Sequence, residues 1–186
     1  MIFDAIRHGL GNLTNFSGRD ERPTFWWYVL FLIVLHFVLG FLASIPLLVT
    51  TAGTAMDAAQ AGVEADVMET QMLDSMAGGI EATGYISAGI TALIIALIAA
   101  AFVRRIRDAG FSGWWAIVPL ALQIAAIVGS LMLLEDLGAI LAATRDPAEL
   151  QRLQEELLLH WSSIAGWLSY IIVFVLGVWP SQPRTD

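Results

Sequence analysis

Four long segments of the sequence contain no Asp, Glu, Lys or Arg, and this feature constrains the fold more than any other. The segments cover residues 25–50, 85–103, 114–134 and 161–179. At a rise of about 1.5 Å per residue, each is long enough to cross a hydrocarbon core of about 30 Å as a helix. Because lipid offers the backbone no hydrogen-bond partners, only a helix satisfies every amide within such a segment. The sequence therefore predicts an all-α integral membrane protein whose four transmembrane helices form two hairpins.

The composition supports a membrane protein and excludes several kinds of chemistry. Hydrophobic residues make up 58% of the chain and charged residues 14%, whereas soluble domains average about 45–50% and about 25%. The chain has no cysteine, which excludes disulfides, thiolate metal ligands and cysteine nucleophiles. All nine basic residues are arginine, so P-loop and Schiff-base lysines are excluded as well. The net charge of −8 argues against a nucleic-acid partner, which requires a basic face.

The arginines are distributed unequally between the two sides of the predicted bundle. Seven of them precede the first segment, separate the second from the third, or follow the fourth: Arg7, Arg19, Arg22, Arg104, Arg105, Arg107 and Arg184. The other two, Arg145 and Arg152, lie between the third and fourth segments. By the positive-inside rule, this bias predicts that both termini are cytoplasmic. We therefore expect a cytoplasmic segment 1–24, a membrane domain 25–179 and a cytoplasmic tail 180–186.

The two predicted external connections, residues 51–84 and 135–160, have amphipathic character. The first carries six acids and no base; it is expected to be partly helical, and its acids do not match the spacing of a calcium-binding loop. In the second, Asp146 and Pro147 occupy the positions of a helix cap and a first turn, and leucines follow on one face. We expect external amphipathic helical segments here and no metal site.

Tryptophans lie at the ends of the predicted helices, where amphipathic indole rings prefer the level of the lipid headgroups. The predicted interface anchors are Trp26, Trp27, Trp114, Trp115, Trp161 and Trp179. Their positions agree with the four predicted spans.

The stretch "VRRIRDAGFSGWW", residues 103–115, holds the densest charge in the chain and lies between two apolar segments. One interpretation is a tight cytoplasmic turn. Arg104 and Asp108 would pair at i,i+4 where a helix ends, and Gly110 would adopt the left-handed conformation that terminates it. Ser112 would then cap the next helix, with Gly113 following it in the turn.

A second interpretation, compatible with the first, makes the stretch part of a binding site. The stretch "SGRDERPTFWW", residues 17–27, puts two more arginines at the same membrane depth. Together they would engage an anionic lipid headgroup or an acidic partner, with Asp108 as the internal counter-charge. We call this set the Arg/Asp cluster; its members are Arg19, Arg22, Arg104, Arg105, Arg107 and Asp108.

The segments "FSGRDERPTFWWYVLF" and "RRIRDAGFSGWWAIVPL" resemble the two signature segments of the domain-of-unknown-function 805 family, which comprises YhaH/YhaI-like small bacterial inner-membrane proteins. The family pattern of Gly-Arg, Arg and Phe-Trp is matched before the first helix, and Arg-Arg, Asp, Gly and Ser-Gly-Trp-Trp before the third. Arg107 replaces the usual histidine of the family, and "PSQPRTD" replaces its frequent Asn-Arg-Tyr-Gly-Pro tail. The resemblance implies a bacterial inner-membrane location and this topology, but no activity.

His36 and Gln123 are polar residues inside the predicted spans, where an ionisable side chain is a candidate functional group. No acid or base lies within any of the four segments to form a proton relay with His36. We therefore expect a neutral His36 that is hydrogen-bonded to a neighbouring helix, at Gln123 or Ser130.

The sequence contains no recognisable enzyme motif: its three histidines lie far apart, and Gly-x-Ser-x-Gly does not occur. We expect no catalytic residue and no cofactor, and our leading hypothesis is a structural, accessory or regulatory membrane protein. Its expected partners are the lipid bilayer, including anionic headgroups, and a second copy or another membrane protein. The alternatives are a small transporter or channel subunit that acts as an oligomer, and a membrane enzyme.

Overall fold

The computed structural model describes residues 1–143, 152, 155 and 157–182, and all regular structure in this part of the chain is helical. The α-helices are α1 (Ile2–Gly11), α2 (Arg22–Gln60), α3 (Ala65–Asp108), α4 (Ile117–Ala143) and α5 (Trp161–Val178). A 3-10 turn, Gly113–Ala116, leads directly into α4.

Four of these helical stretches are long and apolar enough to cross a membrane. They are Arg22–Gln60, Gly79–Asp108, Gly113–Leu134 and Trp161–Val178. Many of their large apolar side chains point away from the bundle; Phe37, for example, is 73% exposed. An exposed apolar exterior is a liability in water and the expected surface in lipid. The four predicted apolar segments are therefore confirmed as helices that are long and apolar enough to cross a membrane.

The predicted external connection 51–84 is much shorter in the structure, because α2 and α3 both continue as helices far beyond the expected spans. Only residues 61–64 separate the two helices. Gly62 has a positive φ of 64°, and the amide of Val63 donates to the carbonyl of Ala58 at 3.1 Å. This is the glycine-dependent way in which a helix satisfies its last carbonyls. The predicted helical structure in this connection therefore consists of extensions of the two membrane-spanning helices, and Gly62 ends the first of them.

The described residues cover only part of the second predicted connection, 135–160. Residues 135–143 belong to α4, so that helix also continues past its expected end. The amphipathic helix predicted after Pro147 falls mostly outside the described residues, although residues 157–159 are helical.

Helix α1 is an element that the sequence analysis did not predict. Its buried residues are Ala5 and Gly9, and a Cβ atom added to Gly9 would lie 2.5 Å from the ring of Tyr28 on α2. Glycine at this position therefore lets α1 pack closely against the start of α2. The spacing of four between Ala5 and Gly9 was the available signal for a helix with one small-residue face.

The best-buried core of the bundle lies where α2 begins and α3 ends. Helix α2 packs along α3, α4 packs along α5, and α3 also contacts α4. The phenol of Tyr28 donates to the carbonyl of Leu97 at 3.0 Å. The core residues are Phe25, Tyr28, Val29 and Leu32 of α2 with Ala101, Phe102 and Ile106 of α3. The part of the Arg/Asp cluster that belongs to α3 lies directly beside this core. The packing of the core therefore fixes the backbone of that part of the cluster.

Candidate functional site

The turn after α3 has the predicted conformation at Gly110. This glycine has a φ of 86°, and the amide of Phe111 donates to the carbonyl of Ile106 at 3.1 Å. A Cβ atom on Gly110 would lie 2.1 Å from the side chain of Gln182, so the position requires glycine for two reasons. Ser112 immediately precedes the 3-10 turn that begins at Gly113, but its hydroxyl makes no capping hydrogen bond. The predicted cap is therefore correct in position and wrong in its side-chain contact.

Arg104 connects the end of α3 to the N-terminal segment. Its side chain is almost completely buried, and its Nε donates to the carboxylate of Asp20 at 2.9 Å. Its Nη1 donates to the carbonyl oxygens of Asn12, at 2.9 Å, and Asn15, at 2.6 Å. The second carboxylate oxygen of Asp20 lies 3.0 Å from Nε2 of His8. A single arginine thus joins α3 to the chain between α1 and α2.

The predicted pairing of Arg104 with Asp108 is wrong. Asp20 reaches Arg104 from the N-terminal segment, whereas the carboxylate of Asp108 pairs with Arg105, three residues before it on α3. Adjacent residues of a helix point about 100° apart, so Arg104 and Arg105 face different segments of the chain. Asp20 was missed because its contact with α3 spans more than eighty residues of sequence, and His8 was missed because it joins the site only through Asp20.

Arg105 connects the end of α3 to the end of α5 and to the tail. It is fully buried; its Nε donates to the carbonyl of Gly177 at 3.0 Å and its Nη2 to the carbonyl of Trp179. The last carbonyls of a helix have no partner within that helix and carry its negative dipole end. Arg105 therefore supplies a cationic cap to α5 from a different helix.

Arg104 and Arg105 thus form two junctions on α3, one with the N-terminal segment and one with the end of α5 and the tail. Asp108 completes the second junction. Its carboxylate accepts hydrogen bonds from Arg105 and from the hydroxyl of Ser181, and its backbone carbonyl accepts from the amide of Gln182 at 2.9 Å. Because Asp108 is only 6% exposed, the charge of Arg105 is matched inside the protein. The tail as far as Gln182 is therefore held against the end of α3.

The other three arginines of the cluster are exposed: Arg19, Arg22 and Arg107. Arg107 donates to the carbonyl of Phe16, and Arg22 donates to the carbonyl of Trp179 at 3.1 Å. The six residues do not converge on one pocket. A cavity of about 380 Å³ beside Arg22 is also lined by Glu21 and Asp108, so its charge does not favour an anion.

Five of the six predicted interface tryptophans have exposed indoles: Trp27, Trp114, Trp115, Trp161 and Trp179. Trp26 differs, because its ring packs against the core and its Nε1 donates to the carbonyl of Gly177 at 3.2 Å. Trp26 therefore has a contact inside the bundle that its sequence position did not predict.

His36 and Gln123 both line a cavity of about 660 Å³ between α2, α3, α4 and α5. The expected hydrogen bond from His36 to Gln123 or Ser130 is wrong: Oε1 of Gln123 has no partner in the described structure, and the hydroxyl of Ser130 donates to the carbonyl of Ile127 on its own helix. Among the residues that the structure describes, no group of three His, Cys, Asp or Glu side chains could hold a metal ion.

Comparison with known proteins gives a family and no closer relative. Residues 13–186 match the family described as "Protein of unknown function (DUF805)", which agrees with the resemblance of the two signature segments. No curated protein and no solved structure matches the chain significantly.

Proposed function

Given that the chain belongs to the DUF805 family, whose function is unknown, we propose that it is a non-enzymatic, multi-pass protein of the bacterial inner membrane with a structural, accessory or regulatory role. Four helices of sufficient length and hydropathy support the membrane location. We further propose that both termini are cytoplasmic, because seven of the nine arginines lie on the side of the termini.

The observation that carries the proposal is that the arginines of the Arg/Asp cluster form two groups, one buried and one exposed. Arg104 and Arg105 are buried and hold the N-terminal segment and the tail against α3. Arg19, Arg22 and Arg107 remain exposed at the same end of the bundle. The two buried arginines therefore have a structural role at this end of the protein, and the three exposed arginines place positive charge on its surface.

We assign to the three exposed arginines the role of binding anionic lipid headgroups at the cytoplasmic surface. A basic residue near an anionic leaflet contributes about 1 kcal/mol to the attraction, and the planar guanidinium group suits a bidentate phosphate contact. Since Arg22 and Arg107 already donate to backbone carbonyls, their side chains are held in place before a lipid arrives. This role is separate from the structural role of Arg104 and Arg105.

Titration with lipid followed by native mass spectrometry tests the proposal. We expect wild-type protein to retain phosphatidylglycerol better than phosphatidylethanolamine. The triple variant Arg19→Gln, Arg22→Gln, Arg107→Gln should lose about a hundredfold in affinity for phosphatidylglycerol, from about 1 kcal/mol per charge. Arg7→Gln is the matched control, because Arg7 is also exposed but lies on α1. Equal retention of the two lipids by wild type, or unchanged affinity in the triple variant, would contradict the headgroup role.

The proposed topology has its own test. A reporter that is active only in the cytoplasm is fused after Gln182, and in a second protein it is inserted at Gly62 in the turn between α2 and α3. We expect activity from the first fusion and none from the second. The reverse pattern, or activity from both, would overturn the assignment of both termini to the cytoplasm.

A further inference from the structure

Helix α1 has an apolar face and a polar face. At about 100° per residue, the two faces lie on opposite sides of the buried Ala5 and Gly9, which pack against the bundle. The apolar face consists of Ile2, Phe3, Ile6 and Leu10, and the polar face of Asp4, Arg7, His8 and Asn12. Phe3 is 82% exposed, and Ile2 and Leu10 are exposed as well. The described part of the chain therefore leaves most of the apolar face uncovered.

Two contacts fix the depth of α1 along the bundle. A Cβ atom on Gly9 would lie 2.5 Å from the ring of Tyr28, which follows the first residue of α2, Arg22, by six residues or about 9 Å. The carbonyl of Asn12 accepts a hydrogen bond from Arg104, which lies within the last turns of the apolar stretch of α3. Helix α1 therefore lies beside the ends of two spans and not beyond them.

The contact of His8 shows which face of α1 points toward the middle of the spans. Its Nε2 lies 3.0 Å from the carboxylate of Asp20, which precedes α2 and belongs to the end of the bundle that carries the Arg/Asp cluster. Ile6 and Leu10 are each two residues from His8, so they lie about 200° around the helix from it. The apolar face therefore points away from this end of the bundle and toward the middle of the spans.

The surroundings at this depth favour lipid as the partner of the apolar face. Beside the end of a membrane span lies the boundary between headgroups and acyl chains, and an amphipathic helix in this boundary buries its apolar face by about 5–10 Å. Asp4 and Arg7, three residues apart on the helix, offset each other's charge. The attraction of α1 to the bilayer is therefore apolar and does not require anionic lipid.

We propose that α1 is an interfacial helix, which lies in the surface of the bilayer that the four spans cross and inserts Phe3 and Leu10 among the acyl chains. The family match begins at residue 13, so α1 precedes the part of the chain that the family describes. The inference rests on the proposed membrane location, and it is independent of the headgroup role of the exposed arginines.

Spin labels on single cysteines test this inference, because the chain has no cysteine of its own. The labelled variants are Phe3→Cys and Leu10→Cys on the apolar face, Gly11→Cys as the matched control on α1, where the side chain has open space, and Phe37→Cys in the middle of the α2 span. Each full-length protein is reconstituted into phosphatidylcholine vesicles, and its fold is checked by circular dichroism.

Electron paramagnetic resonance then compares relaxation by oxygen, which concentrates in lipid, with relaxation by a water-soluble nickel chelate present on both sides of the vesicles. We expect the ratio of oxygen to nickel accessibility to be severalfold higher at Phe3→Cys and Leu10→Cys than at Gly11→Cys. The ratio should be highest at Phe37→Cys, whose side chain lies deepest in the bilayer.

Equal ratios at Phe3→Cys, Leu10→Cys and Gly11→Cys would place α1 in water and overturn the inference. Low accessibility of the apolar face to both reagents would mean that a protein covers it, and dipolar broadening of the spectra would identify that protein as a second copy; either result would also overturn the inference. A high nickel accessibility at Phe37→Cys would refute the membrane location itself. The expected ratio at Phe37→Cys with equal ratios along α1 would refute only the interfacial position of α1.

Discussion

The junction between Arg104 and Asp20 gives a prediction whose magnitude follows from burial. In the variant Asp20→Leu, Arg104 would stay 2% exposed and lose its carboxylate partner. Breaking a buried ion pair by removing one member costs about 3–5 kcal/mol. Because Arg104 keeps its hydrogen bonds to the carbonyls of Asn12 and Asn15, we expect the lower end, about 3 kcal/mol of the free energy of unfolding. His8 adds little, since its side chain is half exposed to solvent.

The assay is SDS-induced unfolding followed by circular dichroism, with Asp57→Leu as the control because Asp57 is an exposed acid on α2. The double variant Asp20→Leu, Arg104→Met removes both charges and should recover at least half of the loss, because an apolar pair replaces a buried ion pair at little cost. A loss below about 1 kcal/mol in Asp20→Leu, or a double variant as unstable as the single one, would refute this account of the junction.

Three further predictions concern the ends of α1, α3 and α5. Arg105→Gln leaves Asp108 without its cation and the end of α5 without its cap, so it should cost about 3 kcal/mol and expose the tail to carboxypeptidase, as measured by intact mass. Gly110→Ala should cost about 1–2 kcal/mol because of its positive φ, whereas Gly53→Ala, in the open interior of α2, should stabilise the helix by about 0.5–1 kcal/mol; SDS titration of both variants compares them. Gly9→Ala should cost about 1–3 kcal/mol by forcing α1 away from Tyr28, and Gly11→Ala, on the same helix but with open space around it, should cause no loss of stability.

The features that could be predicted from the sequence are those determined locally. Segment length and the absence of charge predict the four spans, and a glycine after a charged helix end predicts the conformation of Gly110. Continuation of α2 and α3 to a turn at Gly62 was underestimated, because hydropathy marks where a segment leaves the membrane and not where its helix ends. Only a helix-terminating signal such as Gly62 marks that end.

The partners of the Arg/Asp cluster could not be predicted in the same way. Arg104 and Arg105 donate mainly to backbone carbonyls, and every residue has a carbonyl, so no residue type in the sequence identifies the acceptor. Asp108 has a basic residue at both i−3 and i−4, and spacing alone favours neither. The observed choice depends on the direction from which Asp20 and the end of α5 approach α3.

The two junctions on α3 also determine the order in which the helices can assemble during synthesis. The segment that pairs with Arg104 is translated before α3, so this arginine has its partners as soon as the helix forms. The carbonyl of Gly177 follows Arg105 by 72 residues, and a buried guanidinium without acceptors is costly. Arg105 must therefore remain hydrated until the ribosome has released α5, and the end of α5 then closes this side of the bundle.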